Sequence, residues 1–176
     1  SLSKNLIFCQ TFRMRKLTVT LCLTIAVLFG SAEESSGADY QKGLIAARSG
    51  DYATALSEFR ALADQGDANA QYSLGLMYDN GRGVKQDSKE SAKWYRMSVE
   101  KGHTDSQYNL GVMYANGDGI QKDNIYAHMW FDIVALSGDE NAVENRDIIA
   151  RRMTKDQLLK AQKLARECVR KKFKGC

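Results

Sequence analysis

The sequence predicts an all-α protein, built as an α-solenoid of stacked helical hairpins. Three observations favour this class. The chain of 176 residues contains no proline, so helices can run uninterrupted and turns must depend on glycine. No segment alternates apolar and polar residues as a strand does. Residues 70–102 and 106–138 align without a gap at an offset of 36 residues, a period that is typical of helical repeats.

The two aligned segments share residues of special types. Leu74-Gly75 matches Leu110-Gly111, and Trp94-Tyr95 matches Trp130-Phe131. The remaining matches are a tyrosine, three glycines and an aspartate: Tyr78 with Tyr114, Gly81 with Gly117, Gly83 with Gly119, Gly102 with Gly138, and Asp87 with Asp123. These matches predict that both segments form the same hairpin, with the aromatic residues in its core.

Each unit is predicted to contain two helices joined by a glycine turn. Ala70, Leu74 and Tyr78 recur every four residues and give the first helix an apolar stripe. Gly75 lies in mid-helix, where glycine costs about 1 kcal/mol relative to alanine. We expect a close helix crossing at this glycine to offset that cost. Asp87 then caps the second helix.

A shorter unit precedes these two. Residues 51–66 align with 87–102 at the same offset of 36, whereas the helix before them, 39–48, aligns at an offset of 32. The turn of this unit therefore lacks four residues, and we expect a hairpin with a tighter connection.

A divergent unit follows the two complete repeats. It is predicted to consist of helices over 140–152 and 155–173, which cover the otherwise exposed end of the array. Thr154 and Gln157 form a capping box at the start of the last helix.

The first residues of the chain resemble a secretory signal peptide. Residues 17–29 are apolar and uncharged, follow a basic stretch at 13–16, and end at the small residues 30–32. The apolar run is too short to span a bilayer. We expect a start at Met14, cleavage near Ala32, and a periplasmic or secreted protein. An uncleaved N-terminal anchor is the alternative.

The predicted protein has three parts: upstream residues with the signal peptide at 1–32, a repeat array at 38–153, and a capping helix with a basic tail at 154–176. Residues 33–176 carry 21 basic and 21 acidic side chains, so a pI of 8.8 for the whole chain does not indicate nucleic-acid binding. The charges divide into −8 over 33–145 and +8 over 146–176. Internal docking, a second partner surface and a solvated helix face all fit this division.

Cys168 and Cys176 are the cysteines that remain after the leader. In an exported protein, two cysteines near one terminus predict a disulfide, and Gly175 would let the chain fold back between them. A reactive or metal-binding pair is the alternative, although neither His103 nor His128 lies near them in the sequence. No cofactor and no metal ion is predicted.

The pattern of Leu-Gly, Tyr, Gly-x-Gly, Asp, the aromatic pair and a final Gly in 74–102 and 110–138 resembles the Sel1-like repeat, a relative of the tetratricopeptide repeat. The turn at 50–52 is closer to the tetratricopeptide form, and the last helix resembles the closing helix of short, exported bacterial members. The resemblance implies an adaptor that binds proteins or peptides, often in the concave groove of a superhelix. It implies no common ligand. We expect a monomer that does not bind nucleic acid.

Candidate groove residues lie on the first helices, opposite the apolar stripe. They are Tyr72, Ser73, Leu76, Tyr108, Asn109 and Val112. Tyrosines with polar neighbours suit an extended peptide or a partner helix. Packing of Tyr72 and Tyr108 between hairpins is an equal alternative.

One segment matches a catalytic motif. Ser98 and Lys101 satisfy Ser-x-x-Lys, the nucleophile motif of penicillin-binding enzymes, and a disulfide-rich branch of the Sel1-like family has been connected with β-lactam binding and hydrolysis. Ser98, however, aligns with Leu62 and Val134, and the Ser-Asp-Asn and Lys-Thr-Gly elements are absent. The sequence therefore predicts a non-enzymatic scaffold of the cell envelope. A β-lactam-binding enzyme, and attachment of the basic C-terminal helix to anionic lipid or polysaccharide, are the alternatives.

Overall fold

The structure, a computed structural model, describes residues 34–176, and the predicted signal peptide lies outside these residues. Eight helices follow one another there: α1 Glu34–Ser49, α2 Tyr52–Asp64, α3 Ala68–Asn80, α4 Ser88–Val99, α5 Thr104–Asn116, α6 Asn124–Ala135, α7 Glu140–Ala150 and α8 Lys155–Arg170. No strand occurs within this range, so the all-α prediction is confirmed. Residues 39–176 form one compact unit. Of the unit before it, the structure describes 34–38, which are helical.

Within the first three hairpins, a glycine of the first helix faces an aromatic ring of the second. The pairs are Gly43 with Phe59, Gly75 with Tyr95, and Gly111 with Phe131. A Cβ atom would stand 2.6 Å from the ring at Gly43 and 2.8 Å from it at Gly111, which is closer than carbon atoms can pack. The predicted close crossing is therefore present in all three hairpins, and the buried ring is what each glycine makes room for.

Side chains cap the N-termini of helices α2 to α8. An aspartate precedes five of them and accepts a backbone N–H of the first turn: Asp51, Asp67, Asp87, Asp123 and Asp139. Helix α5 differs, because His103 Nδ1 accepts the N–H of Ser106 at 3.3 Å. The predicted capping box of Thr154 and Gln157 is present at α8.

The turns within the second and third hairpins, after α3 and α5, pack on the hairpin before them. Gly83, with φ +72°, lies against Tyr52 at the start of α2, and Gly119, with φ +67°, lies against the backbone of Ser88 at the start of α4. A Cβ at Gly119 would come within 2.7 Å of the Lys89 nitrogen, and a positive φ also favours glycine. Each turn therefore packs on the second helix of the hairpin before it.

The core contains two main clusters of buried apolar side chains. One is formed by α1, α2 and α3 with Trp94, and the other by α4, α5, α6 and α8 with Tyr95 and Trp130. Arg60 lies over the Trp94 ring, 5.0 Å from its centroid, and donates a hydrogen bond to the Tyr78 hydroxyl. The repeated aromatic residues thus hold neighbouring helices together. Within residues 34–176, no helix is long and apolar enough to cross a bilayer.

The last two helices depart from the hairpin geometry expected for them. Helix α8 packs along α6 rather than against α7. Ala161, Ala165 and Cys168 are the buried residues of α8, and the last two join the cluster that contains Met129 of α6. The closing helix therefore covers the second helix of the preceding repeat.

The C-terminal tail folds back onto the array. A disulfide joins Cys168 to Cys176, with 5.6 Å between their Cα atoms. Lys172 and Phe173 adopt positive φ angles of 52° and 65° and reverse the chain. Phe173 packs on the second core cluster, beside Trp130. The apolar part of the tail thus docks internally, while its lysines stay exposed.

Candidate functional site

The first helices present rows of equivalent side chains. Tyrosines occupy one position, and an aliphatic residue follows each tyrosine one turn later. These residues define the first-helix surface: Tyr40 and Leu44 of α1, Tyr72 and Leu76 of α3, and Tyr108 and Val112 of α5. All six are half-buried, so they form a semi-exposed floor rather than a sealed core.

The tyrosine hydroxyls meet the next first helix along the array. Each one faces the polar residue one position beyond the residue that aligns with its tyrosine. Tyr40 shares a hydrogen bond with Ser73 at 3.2 Å, and Asn145 donates to Tyr108 at 2.8 Å, while Asn109 lies beside the Tyr72 hydroxyl. This tyrosine ladder runs from α1 through α3 and α5 to α7.

Both tyrosines of the predicted groove also pack by their rings. Tyr72 stacks on His103 at 4.5 Å between ring centroids, and Tyr108 meets Phe131 edge-on at 5.6 Å. The packing alternative is therefore present for both residues. Contact of their exposed parts with a partner stays a prediction.

The other predicted groove residues separate into two groups. Ser73 is only 7% exposed and its hydroxyl is engaged with Tyr40, so it lies between hairpins, and the expectation of an open position was wrong. Asn109 is half-buried and serves the ladder. Leu76 and Val112 are half-buried on the first-helix surface, where the sequence placed them.

A small cavity opens between the first and second hairpins. Its volume is about 120 Å³, and it is lined by Leu44, Ala47, Tyr52, Phe59, Ser73, Leu76, Met77 and Arg82. One repeat later, Tyr95 and Asn109 stand where this joint has Phe59 and Ser73, whereas Ser88 and Val112 stand where it has Tyr52 and Leu76, so the two joints are lined differently. The volume is well below the range of about 300–1,000 Å³ of drug-sized sites. It suits a single side chain.

Three carboxylates lie beside this surface. Burial raises the pKa of Asp79, and the nearby Asp118 carboxylate raises it further. Burial also raises the pKa of the Tyr72 hydroxyl, and the charge of Asp105 adds to the rise. Among residues 40–176, no ion pair involves Asp79, Asp105 or Asp118. Asp79 and Asp118 therefore place negative charge at the C-terminal ends of α3 and α5, and Asp105 places it at the start of α5.

Ser98, the residue of the catalytic motif match, is a structural hydroxyl. It is fully buried, donates to the Ala68 carbonyl at 2.7 Å, and accepts a hydrogen bond from Ser106 at 2.9 Å. The Ser106 hydroxyl lies 3.3 Å from His103 Nδ1, but it too is fully buried. A substrate cannot reach either serine, so this chain of hydroxyls joins α4 to α5.

No metal centre is formed by the side chains that the structure describes, since no three His, Cys, Asp or Glu residues cluster there. His128 is buried within α6, and burial lowers its pKa. The two histidines are thus parts of the packed array.

Sequence reasoning missed some of the surface. Tyr40 could have been found, because its offset of 32 from Tyr72 is that of the first unit. Asp79 and Asp118 could not, because their equivalents one repeat away are Ala115 and Arg82. A periodic alignment does not reveal residues that meet without repeating.

Comparison with known proteins agrees with this geometry. The Sel1 repeat family model matches residues 68–103 and 104–139. A protective antigen present in uropathogenic Escherichia coli strains, which displays an SLR fold, is 33% identical with a TM-score of 0.72, over 80% of this chain and 31% of that chain. A Sel1 repeat protein from Oxalobacter formigenes is 28% identical with a TM-score of 0.55, over 59% of this chain and 41% of that chain.

The chain therefore spans less than half the length of either of these proteins. No curated protein sequence matches it.

Proposed function

Since this chain is a Sel1-like repeat protein, we propose that it is an exported, non-enzymatic scaffold that binds a protein or peptide in the cell envelope. Sel1 repeats generally mediate protein–protein interaction, and the first-helix surface is the place we assign to it here. The observation that carries the proposal is that this surface is half-exposed, apolar along its centre and held by the tyrosine ladder.

A preformed surface supports binding without chemistry. Hydrogen bonds from α1 to α3 and from α5 to α7, together with stacking of Tyr72 on His103, order this surface before any partner arrives. A binding surface that is already ordered avoids much of the entropy cost of association. The affinity would then come from burial of the aliphatic row and from the adjacent carboxylates.

The proposal of export draws on two features. The predicted signal peptide precedes the array, and a disulfide joins Cys168 to Cys176. Disulfides persist in oxidising compartments such as the periplasm. Cell fractionation, with thiol labelling of the two cysteines before and after reduction, tests this part of the proposal.

Partner capture from an envelope extract tests the binding role. In a protein of residues 33–176, which lacks the predicted signal peptide, Leu76→Gln with Val112→Gln makes the first-helix surface polar without changing its charge. The matched control is Met97→Gln with Leu136→Gln, which alters residues that are 44% and 79% exposed, one on α4 and one directly after α6. We expect a partner that the wild type and the control capture and the groove variant does not. Equal capture by all three proteins rejects this surface.

A second candidate function is attachment to an anionic surface. The outward side of α8 carries Lys163, Arg166 and Arg170, all exposed, in a row that begins at Leu159, which is 54% exposed; Lys163 also pairs with Glu167. A basic row with an exposed apolar residue at one end is suited to anionic lipid or polysaccharide.

Co-sedimentation with vesicles of phosphatidylglycerol, at low and high salt, tests this role. Replacing Lys163, Arg166 and Arg170 of α8 with glutamate should abolish salt-sensitive binding to the vesicles. Replacing Lys85, Lys89 and Lys122, which are exposed in the turns and at the start of α4, with glutamate should leave binding unchanged. If neither set of substitutions changes binding, the α8 face is excluded.

A further inference from the structure

We propose that His103 is a pH-sensitive cap that couples the start of α5 to the first-helix surface, so that partner binding weakens when the imidazole gains a proton. The inference rests on the proposed function and adds its regulation. Three observations carry it: the kind of residue that caps α5, the two groups that face one of its ring nitrogens, and the stacking of Tyr72 on the same ring.

The cap of α5 differs from the caps of the neighbouring first helices. Asp67 caps α3 and Asp139 caps α7, whereas His103 occupies the position 36 residues from each of them. A carboxyl group keeps an acceptor oxygen whether or not it is protonated, but an imidazole becomes a donor on both nitrogens once it is protonated. Of these three caps, only that of α5 is therefore lost on protonation.

Two groups of Ser106 face the Nδ1 atom of His103. The backbone N–H donates to Nδ1 at 3.3 Å, and the hydroxyl oxygen also lies 3.3 Å from it. Ser98 gives its one hydroxyl proton to the Ala68 carbonyl at 2.7 Å. The Ser106 hydroxyl must therefore donate to Ser98, at 2.9 Å, and its oxygen is left as an acceptor toward the ring. Neutral Nδ1 can accept from the N–H, whereas protonated Nδ1 can donate to the oxygen.

Protonation therefore exchanges the cap for a different hydrogen bond. The Ser106 N–H loses its acceptor, and a positive charge appears at the N-terminus of α5, where the helix dipole disfavours it. Both effects loosen the first turn of α5. The imidazolium gains a bond to the buried Ser106 oxygen and a cation–π contact with Tyr72, whose ring centroid is 4.5 Å away. These gains give the protonated ring a second defined arrangement.

Charged groups from each neighbouring element surround the ring. Burial lowers the pKa of His103 and has the largest effect, while Asp105 of α5 and Asp67 ahead of α3 raise the pKa. Lys101, in the turn after α4, extends toward Gly66 and carries a like charge. The ring is half-buried, so it can exchange protons with solvent. We expect it to be neutral at a pH of about 7 and to gain its proton below about 6.5.

The cap is connected to the first-helix surface in two ways. Tyr72, a tyrosine of that surface, stacks on the imidazole, and α5 itself supplies Tyr108 and Val112. A first turn that has loosened must be ordered again when a partner binds α5, and this cost is subtracted from the affinity. Loss of a helix cap typically changes an equilibrium about fivefold. We expect binding to weaken by about that factor when His103 is protonated.

A nuclear magnetic resonance titration of the protein of residues 33–176 tests the exchange of hydrogen bonds. Between pH of about 7.5 and about 5, the Ser106 amide proton should shift upfield with the same midpoint as the ring nitrogens of His103, and that midpoint should lie below about 6.5. The amides of Ala70 and Ala142 are internal controls, because carboxyl oxygens accept them at 2.7 and 2.8 Å. A Ser106 amide that does not shift, or that shifts together with both controls, overturns the inference.

Capture from the envelope extract at pH of about 7.5 and about 5.5 tests the regulation. Two matched variants each take the residue found 36 positions earlier: His103→Asp, as at Asp67, and His128→Ala, as at Ala92. At subsaturating extract, we expect the wild type and His128→Ala to capture about fivefold less partner at the lower pH. His103→Asp should capture equally at both. Circular dichroism checks folding at each pH, and the comparison of His103→Asp with the wild type is decisive even if His128→Ala does not fold.

The inference is overturned if the wild type captures equally at both pH values, or if His103→Asp keeps the same pH dependence. The proposed function is judged separately, at the higher pH alone. If Leu76→Gln with Val112→Gln loses the partner there, that function stands and only its regulation by His103 can be wrong. If this variant keeps the partner, or if no protein captures one, the first-helix surface is rejected and its regulation with it.

Discussion

Replacing Gly75 with alanine should destabilise the protein, although alanine favours the helix by about 1 kcal/mol. The new Cβ would stand 2.5 Å from Cδ1 of Tyr95, about 1 Å inside an ordinary carbon contact of about 3.5 Å. Tyr95 is fully buried and packs on Tyr72, with 6.0 Å between ring centroids, so its ring has no free space to enter. Overpacking of this kind costs about 1–3 kcal/mol. We expect a net loss of up to about 2 kcal/mol after the gain in helix propensity.

Urea unfolding followed by circular dichroism at 222 nm measures this loss as a shift of the transition midpoint. Gly111→Ala is the graded control, because its Cβ would lie farther from the ring, at 2.8 Å from Phe131, and its loss should be smaller. A double-mutant cycle adds Tyr95→Leu, which removes the ring; Gly75→Ala should then cost much less. A stabilised Gly75→Ala protein, or an equal cost with and without the ring, would refute the role assigned to this glycine.

Three further outcomes are expected. Burial lowers the pKa of His103 and of His128 below the ordinary 6.5. The unfolded chain therefore binds more protons, and the free energy of unfolding should fall as pH drops below about 6.5. His103→Asp, which restores the aspartate cap of the other repeats, should reduce this pH dependence in urea titrations, and an unchanged slope would contradict the assignment. Reducing the disulfide closed over a separation of eight residues should cost about 2–3 kcal/mol, and reductant should not affect a Cys168→Ala and Cys176→Ala variant. Ser98→Ala should lower the free energy of unfolding by about 1–3 kcal/mol, because Ser106 loses its acceptor and the Ala68 carbonyl loses its donor. If the wild-type protein hydrolysed nitrocefin and this variant did not, Ser98 would be shown to react.

The sequence period was enough to predict the hairpins, because residues such as Gly75 and Gly111 recur wherever two helices cross closely. It could not predict that α8 packs along α6, since the last unit has diverged and its contacts have no counterpart elsewhere in the chain. Ser73 was misjudged for a related reason. Its position on the helix appeared outward, but the tyrosine of the preceding first helix covers it, and a helical wheel contains no information about a neighbouring hairpin.

The candidate surface was predicted in part. The aliphatic positions Leu76 and Val112 follow from helical spacing. The cavity is lined in part by residues that differ between repeats, with Phe59 and Ser73 in place of Tyr95 and Asn109, and the charge depends on the non-equivalent pair Asp79 and Asp118. The features that would distinguish one partner from another therefore lie where the repeats differ.

The tyrosine ladder also makes the architecture modular. At each joint a tyrosine of one first helix meets a polar residue of the next, and two of the joints are hydrogen-bonded, so a duplicated 36-residue unit would find a compatible neighbour on both sides. The array can thus lengthen by gene duplication without redesign of existing joints, and new specificity can arise in a single copy while the others preserve the framework.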